Sequence, residues 1–226
     1  MKNKFSKFRN IEKIKRNRGI FLTRLNKLRL DANERIENFD QNFINKIKKR
    51  ISSFHFSAYP EIEKIYDLLS KTYKMPRENF LVTSGSDTGI RHCFELFTQK
   101  NSKVVTLSPT FGMVDVYCKV FDTKQIKINY DENLNLDYKK IFSSIQKNTS
   151  MVMIANPNSP TGTIIEKIKL IEIIKKARRN NCYVVIDEAY FGFYPISFIK
   201  QTKKFKNLVV LRTFSKAFGL AGIRSG

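Results

Sequence analysis

Five short, mainly apolar stretches, at 79–83, 103–107, 150–155, 182–186 and 208–211, alternate with stretches whose apolar residues recur every three or four positions. A run that is apolar throughout suits a strand covered on both faces. Strands that alternate with helices pair in parallel, because each helix carries the chain back to the starting edge of the sheet. The alternation predicts an α/β protein with a mostly parallel sheet. Helices are predicted over 39–53, from Phe43, Ile44, Ile47 and Ile51, and over 61–74, from Ile62, Ile65, Tyr66, Leu68 and Leu69, with Pro76 marking the end. Another begins at the small residues 84–90 and runs through Phe94, Leu96 and Phe97; a fourth spans 164–180.

Composition removes several function classes. With 42% hydrophobic residues, the 226-residue chain can bury a real core. No apolar run approaches the roughly 18 residues of a membrane span. Three cysteines, far apart and odd in number, argue against a disulfide framework and for a reducing cytoplasm. Two histidines and no ligand-like spacing predict no metal site. The formal net charge is +22, but the lysines are spread along the whole chain beside many Asn, Ile and Phe. That bias suits a coding sequence poor in G and C, so no specific nucleic-acid partner is expected. Residues 1–28 lack the apolar stretch of a secretory signal and read as a flexible or loosely docked basic arm.

Polar residues with chemical capacity follow the apolar runs, where open α/β sheets bind ligands. Lys216 lies just past 208–211, between hydroxyls (Thr213, Ser215) and small residues (Gly219, Ala221, Gly222). It is either a solvated lysine or a held amine able to form a Schiff base with an aldehyde. Arg224 suits an anion. Ser86 and Asp87 stand at a turn into a helix, which is either a plain cap or an anion site built from free N–H groups. Asp187 ends an apolar strand and needs either a capping role or a cationic partner. Phe111 is either packed core or a stacking surface, and 156–162 by itself is a turn.

The segment Thr213-Phe-Ser-Lys-Ala-Phe-Gly-Leu-Ala-Gly-Ile-Arg224 resembles the cofactor-lysine segment of the class I/II (fold type I) pyridoxal-phosphate aminotransferases, in particular the histidinol-phosphate aminotransferase-like group. Asn156-Pro-Asn-Ser-Pro-Thr-Gly162 resembles that family's Asn-Pro-Asn-Asn-Pro-Thr-Gly loop, and Leu30-Asp-Ala-Asn-Glu34 its Leu-Asp-x-Asn-Glu segment near the substrate opening. The resemblance implies the three-layer α/β/α architecture of the aminotransferase large domain and pyridoxal 5'-phosphate as cofactor. Lys216 would carry the cofactor and move the substrate α-proton. Asp187 would face the pyridine nitrogen, Tyr190 the ring hydroxyl and Phe111 the ring face. The turn at Ser86 and Asp87, with Thr213, Ser215 and Arg224, would hold the phosphate, Asp87 acting through its backbone or as a cap. Tyr59 would reach a neighbour's cofactor phosphate across a homodimer. One position departs from the family: the asparagine that contacts the ring hydroxyl is Ser159 here, so the contact is lost, bridged by water or supplied by Asn158.

The activity so implied is amino transfer between a small amino compound, a histidinol-phosphate-like one being the nearest in kind, and a 2-oxo acid. A related pyridoxal-phosphate decarboxylase, or an inactive remnant, is the alternative. The family continues past the Arg-x-Gly segment with an antiparallel sheet strand and a small C-terminal domain. The chain is therefore expected to be a fragment or a truncated reading frame, with the small domain missing. The implied plan is a basic arm at 1–28, an N-terminal segment at 29–55 and an incomplete cofactor-binding domain at 56–226.

Overall fold

The computed structural model describes residues 27–226, so the basic arm, apart from its last two residues, lies outside the described residues. One sheet of five parallel strands runs in the order β2-β1-β3-β4-β5. The strands are β1 (Lys103–Ser108), β2 (Lys124–Asn129), β3 (Thr149–Ala155), β4 (Tyr183–Asp187) and β5 (Leu208–Leu211). Successive side chains on a strand point to opposite faces, so each central strand feeds two cores. Val105, Leu107, Val152, Ile154, Val184 and Ile186 pack on one face against Ile141 of α6 (Tyr138–Ser144) and Leu170, Ile173, Ile174 and Ala177 of α7 (Lys167–Arg179). Val104, Met151, Met153 and Val185 pack on the other against Ile90, Cys93 and Phe94 of α4 (Gly85–Phe97) and Val114 and Cys118 of α5 (Met113–Val120). The result is the expected three-layer α/β/α sandwich.

The crossovers explain where the ligand crevice falls. From β1 the chain moves outward to β2 through α5, then returns past β1 to β3 and moves the other way through α7 to β4. Right-handed crossovers in opposite directions put their helices on opposite faces, as α5 and α7 are. The strand order therefore reverses between β1 and β3, and the loops leaving these two strands diverge around an opening.

Two sequence expectations need correction. Residues 79–83 do not join the sheet as a strand: Arg77–Asn79 is a 3-10 turn, and only Thr83 pairs, exchanging bonds of 2.9 and 3.0 Å with Gly226. An extended run becomes a strand only when a neighbour takes up its backbone groups, and no described residue does so for 80–82 along a ladder. Conversely, β2 is a strand with no apolar run. It lies at the sheet edge, and its burial is confined mainly to Ile126 and Ile128, whose alternation was the available signal.

The predicted helices form with shorter bounds. The first is α1 (Gln41–Lys48), started by Asp40, whose carboxylate accepts from the N–H groups of Asn42 and Phe43. A short α2 (Phe54–Ser57) precedes α3 (Glu63–Tyr73), which stops at Lys74 in the left-handed conformation. None of these three helices has a fully buried residue; Phe43, Ile47, Phe54, Phe56 and Leu68 on them, and Ile62 just before α3, are exposed. Among the described residues no helix is long and apolar enough to cross a membrane. The three cysteines are buried single thiols; burial pushes Cys93 and Cys182 up to about 12 and Cys118 to about 11, away from thiolate reactivity.

Candidate active site

Asp187 is the last residue of β4, registered between Ala155 of β3 and Leu211 of β5. The alternation that buries Val185 buries Asp187 as well, leaving it 4% exposed. One carboxylate oxygen accepts from the N–H of Ala189 at 3.0 Å. Burial pushes the group up to about 7, opposed by that N–H; the Glu188 and Asp87 carboxylates add to the rise and the Lys216 ammonium reduces it. A buried acid in this state is matched to a cation or to a proton shared with a partner.

Lys216 stands five residues beyond the end of β5, in a loop that is tied to itself. The Thr213 hydroxyl donates to Ser215 Oγ at 3.0 Å and accepts from the Ser215 N–H at 3.1 Å, and the Gly219 N–H donates to the Lys216 carbonyl at 2.9 Å. Thr213 and Ser215 are buried by this loop. Lys216 Nζ lies 5.8 Å from the centre of the Tyr190 ring and donates to the Ala32 carbonyl at 2.7 Å. Tyr190 follows β4 by three residues, and its hydroxyl accepts from Asn33 Nδ2 at 2.7 Å. Lys216, Asp187 and Tyr190 thus share the C-terminal edge of the sheet, close enough for the lysine's charge to act on the aspartate.

The start of α4 closes one end of this region. Gly85 has φ +78, a backbone that favours glycine, and a Cβ there would sit 3.1 Å from Arg224 Nη2. The Arg224 guanidinium therefore lies over the first turn of α4, where unpaired N–H groups and the helix dipole also favour an anion. Arg224 itself is in the left-handed conformation, with Nη1 donating to the Ala221 carbonyl at 3.1 Å. Gly226 packs on the same turn: a Cβ there would fall 2.7 Å from the Ser86 nitrogen. Asp87 turns its carboxylate toward α5, accepting from the Tyr117 hydroxyl at 3.0 Å, which leaves its backbone at the turn.

The switch point between β1 and β3 carries the remaining residues. Asn158 is buried, and its amide is fully used as a donor: Nδ2 donates to the Pro109 carbonyl at 3.0 Å and to Thr161 Oγ1 at 2.8 Å. Its Oδ1 accepts from the Thr110 hydroxyl at 2.7 Å. Asn158 therefore ties the two diverging loops together and has no N–H left for a ligand. Ser159, half-buried beside it, makes no side-chain hydrogen bond to a described residue. Phe111 is 40% exposed and stacks on no other described aromatic ring, so it is not packed core. Tyr59 is fully exposed between α2 and α3, and this single chain does not bring it to the crevice.

The Leu30–Glu34 segment, expected near the substrate opening, supplies contacts that the sequence did not name: Asn33 reaches Tyr190 and the Ala32 carbonyl reaches Lys216. One further feature was not read from the sequence. Buried Glu188 and half-buried Arg212 form a pair next to Asp187 in the chain: Arg212 Nε and Nη2 donate to Glu188 Oε2 at 3.1 and 3.0 Å. Glu188 also accepts from Ser197 Oγ and the Phe198 N–H, while Arg212 reaches the Tyr73 hydroxyl at 2.8 Å and stacks 3.4 Å from the Phe191 ring centre. A charge next to an expected site aspartate, at a strand end, was the available hint.

The family model described as aminotransferase class I and II matches residues 17–226. A histidinol-phosphate aminotransferase of Clostridium novyi is 38% identical over 203 residues, covering 88% of this chain and 56% of the relative. The crystal structure of the histidinol-phosphate aminotransferase from Clostridium acetobutylicum superposes with a TM-score of 0.73 at 26% identity, over 86% of this chain and 58% of that one. The histidinol-phosphate aminotransferase from Sinorhizobium meliloti, solved in complex with pyridoxal-5'-phosphate, shares the fold with a TM-score of 0.76 at 20% identity, over 86% and 53% of the two chains. The chain spans little more than half the length of these relatives.

Proposed function

We propose, from the premise that this chain belongs to the class I and II aminotransferases, that its crevice holds pyridoxal 5'-phosphate for amino transfer between a small amino compound and a 2-oxo acid. The donor to which the curated relatives' name points is histidinol phosphate. The residues fit the cofactor. An anion is accommodated by Arg224, the Ser86 turn, Thr213 and Ser215; a flat ring by Phe111; and a protonated ring nitrogen by the buried carboxylate of Asp187. Bound there, pyridoxal phosphate supplies an aldehyde and a ring that withdraws electrons.

The chain's own groups do the rest. Asp187 keeps a proton on the ring nitrogen, because its buried negative charge is best satisfied by a cation. Lys216 Nζ would be the amine that holds the cofactor through its aldehyde and, when free, the base that takes up and returns the substrate α-proton. Tyr190 would donate to the ring oxygen. Ser159, with its uncommitted hydroxyl, serves that oxygen in preference to Asn158, whose amide hydrogens are both engaged. Tyr59, fully exposed beside the exposed Phe54, Phe56 and Ile62, is available to the phosphate site of a second copy in a homodimer.

The observation that carries this reading is the buried Asp187, on the same sheet edge as Lys216 and within reach of its charge. Treatment with pyridoxal phosphate and borohydride, followed by mass mapping, is expected to label Lys216, and Lys216→Ala to lose that label. Label on other lysines with Lys216 unmodified would remove the reading. A product assay separates the reaction classes: a 2-oxo acid marks amino transfer, released carbon dioxide the decarboxylase.

A further inference from the structure

The 29–35 segment is fastened over the loop that carries Lys216. Arg29 pairs with Glu34 at 3.1 Å and donates to the Arg35 carbonyl, while the Arg35 side chain lies so close to Gly219 that a Cβ there would come within 2.8 Å of it. Gly219 has φ +67 and Asn33 has φ 49, so both contacts are made from left-handed backbone. Asparagine tolerates that conformation better than most residues. The outcome is that one dipeptide touches two groups of the crevice: Ala32 accepts from Lys216 Nζ and Asn33 donates to the Tyr190 hydroxyl, each at 2.7 Å.

We infer that Asn33 is a positioning residue, which sets the direction in which Tyr190 offers its hydroxyl hydrogen to a ligand. A phenol oxygen has two in-plane positions, one for its own hydrogen and one for an incoming donor. The Asn33 amide fills the second. The phenol hydrogen is then directed to the other, and Tyr190 becomes a donor of fixed orientation. That matters more here because Asn158 has no donor to add. The inference rests on the proposed ligand-facing role of Tyr190; the charged group that faces the Tyr190 ring is Lys216, with Nζ 5.8 Å from its centre.

The test begins with the whole chain free of cofactor. Tyrosinate absorbance is followed against pH, and Tyr190→Phe is subtracted to isolate Tyr190. A donor to the phenolate favours its ionised form, so Asn33→Gly, which keeps the left-handed backbone, is expected to raise the Tyr190 midpoint by about one pH unit. Asn33→Asp is expected to raise it further, since a carboxylate repels the phenolate and claims the phenol hydrogen. In the Tyr190→Phe background neither change should matter. Circular dichroism verifies that each variant is folded. The same series with pyridoxal phosphate bound should move the pH midpoint of the cofactor's visible absorbance in Asn33→Gly only where Tyr190 is present. An unmoved Tyr190 midpoint in both Asn33 variants overturns the inference even if cofactor binds. A shifted midpoint in a chain that takes up no pyridoxal phosphate keeps the Asn33–Tyr190 coupling and overturns the cofactor reading.

Discussion

Arg212→Met tests whether the ends of β4 and β5 are clamped by the charge pair beneath the site. Glu188 is 2% exposed and keeps its carboxylate buried because Arg212, Ser197 and the Phe198 N–H surround it. Methionine preserves much of the length and apolar contact over Phe191 but leaves that carboxylate without a counter-charge. Removing one partner of a buried pair costs about 3–5 kcal/mol. For a chain of this size, each kcal/mol moves the melting temperature by about 2–4 °C, so a fall of about 10 °C is expected. Thermal unfolding followed by circular dichroism reads it, with urea midpoints as a second measure. Glu188→Gln alone should also destabilise. The double variant Arg212→Met/Glu188→Gln should recover part of the loss, because no buried charge is then left alone. A single-variant loss below about 1 kcal/mol, or strictly additive losses, would refute the clamp.

Asp187→Asn gives a pH-dependent prediction. The carboxyl is raised from 3.8 to about 7, so the folded chain holds a proton that the unfolded chain has already released. Stability of the cofactor-free protein should therefore be greatest at low pH for this group and fall as pH rises from about 4 through about 7, by a few kcal/mol in all. Asp187→Asn should remove that slope, and parallel curves for the two proteins in urea titrations across this range would count against the burial argument. Gly85→Ala forces a side chain into φ +78 and to within 3.1 Å of the Arg224 guanidinium. It should cost about 1–2 kcal/mol in stability, and a displaced Arg224 should weaken pyridoxal-phosphate binding about tenfold, measured by fluorescence titration. Unchanged affinity would take Arg224 and this turn out of the anion site.

The chain's local patterns were enough to read the layers of the fold. β3 and β4 appear as mainly apolar runs because both faces are covered, β1 likewise apart from the buried Thr106, and α7 shows its buried stripe through Leu170, Ile173 and Ile174. Lys216, Asp187 and Arg224 were legible for a related reason: each follows or ends a strand, where a sheet of this kind exposes its chemistry. What those patterns could not report was the use of each polar group. Asn158 was one of three alternatives for the ring-hydroxyl contact, and its amide hydrogens are engaged by Pro109 and Thr161. Tyr190 looked complete in itself, yet it takes a hydrogen bond from a residue 157 positions away.

By itself the sequence determined which segments are buried, since periodicity records how many faces of an element are hidden from water. It also determined the edge of the sheet at which Asp187, Tyr190 and Lys216 gather. Only the tertiary structure decided that 79–83 stays out of the sheet while the lysine-rich 124–129 enters it, and that Ala32 and Asn33 reach Lys216 and Tyr190. Hydrogen bonds saturate and backbone edges pair one to one. Their allocation therefore depends on which distant segments arrive together, and no local window of residues contains that information.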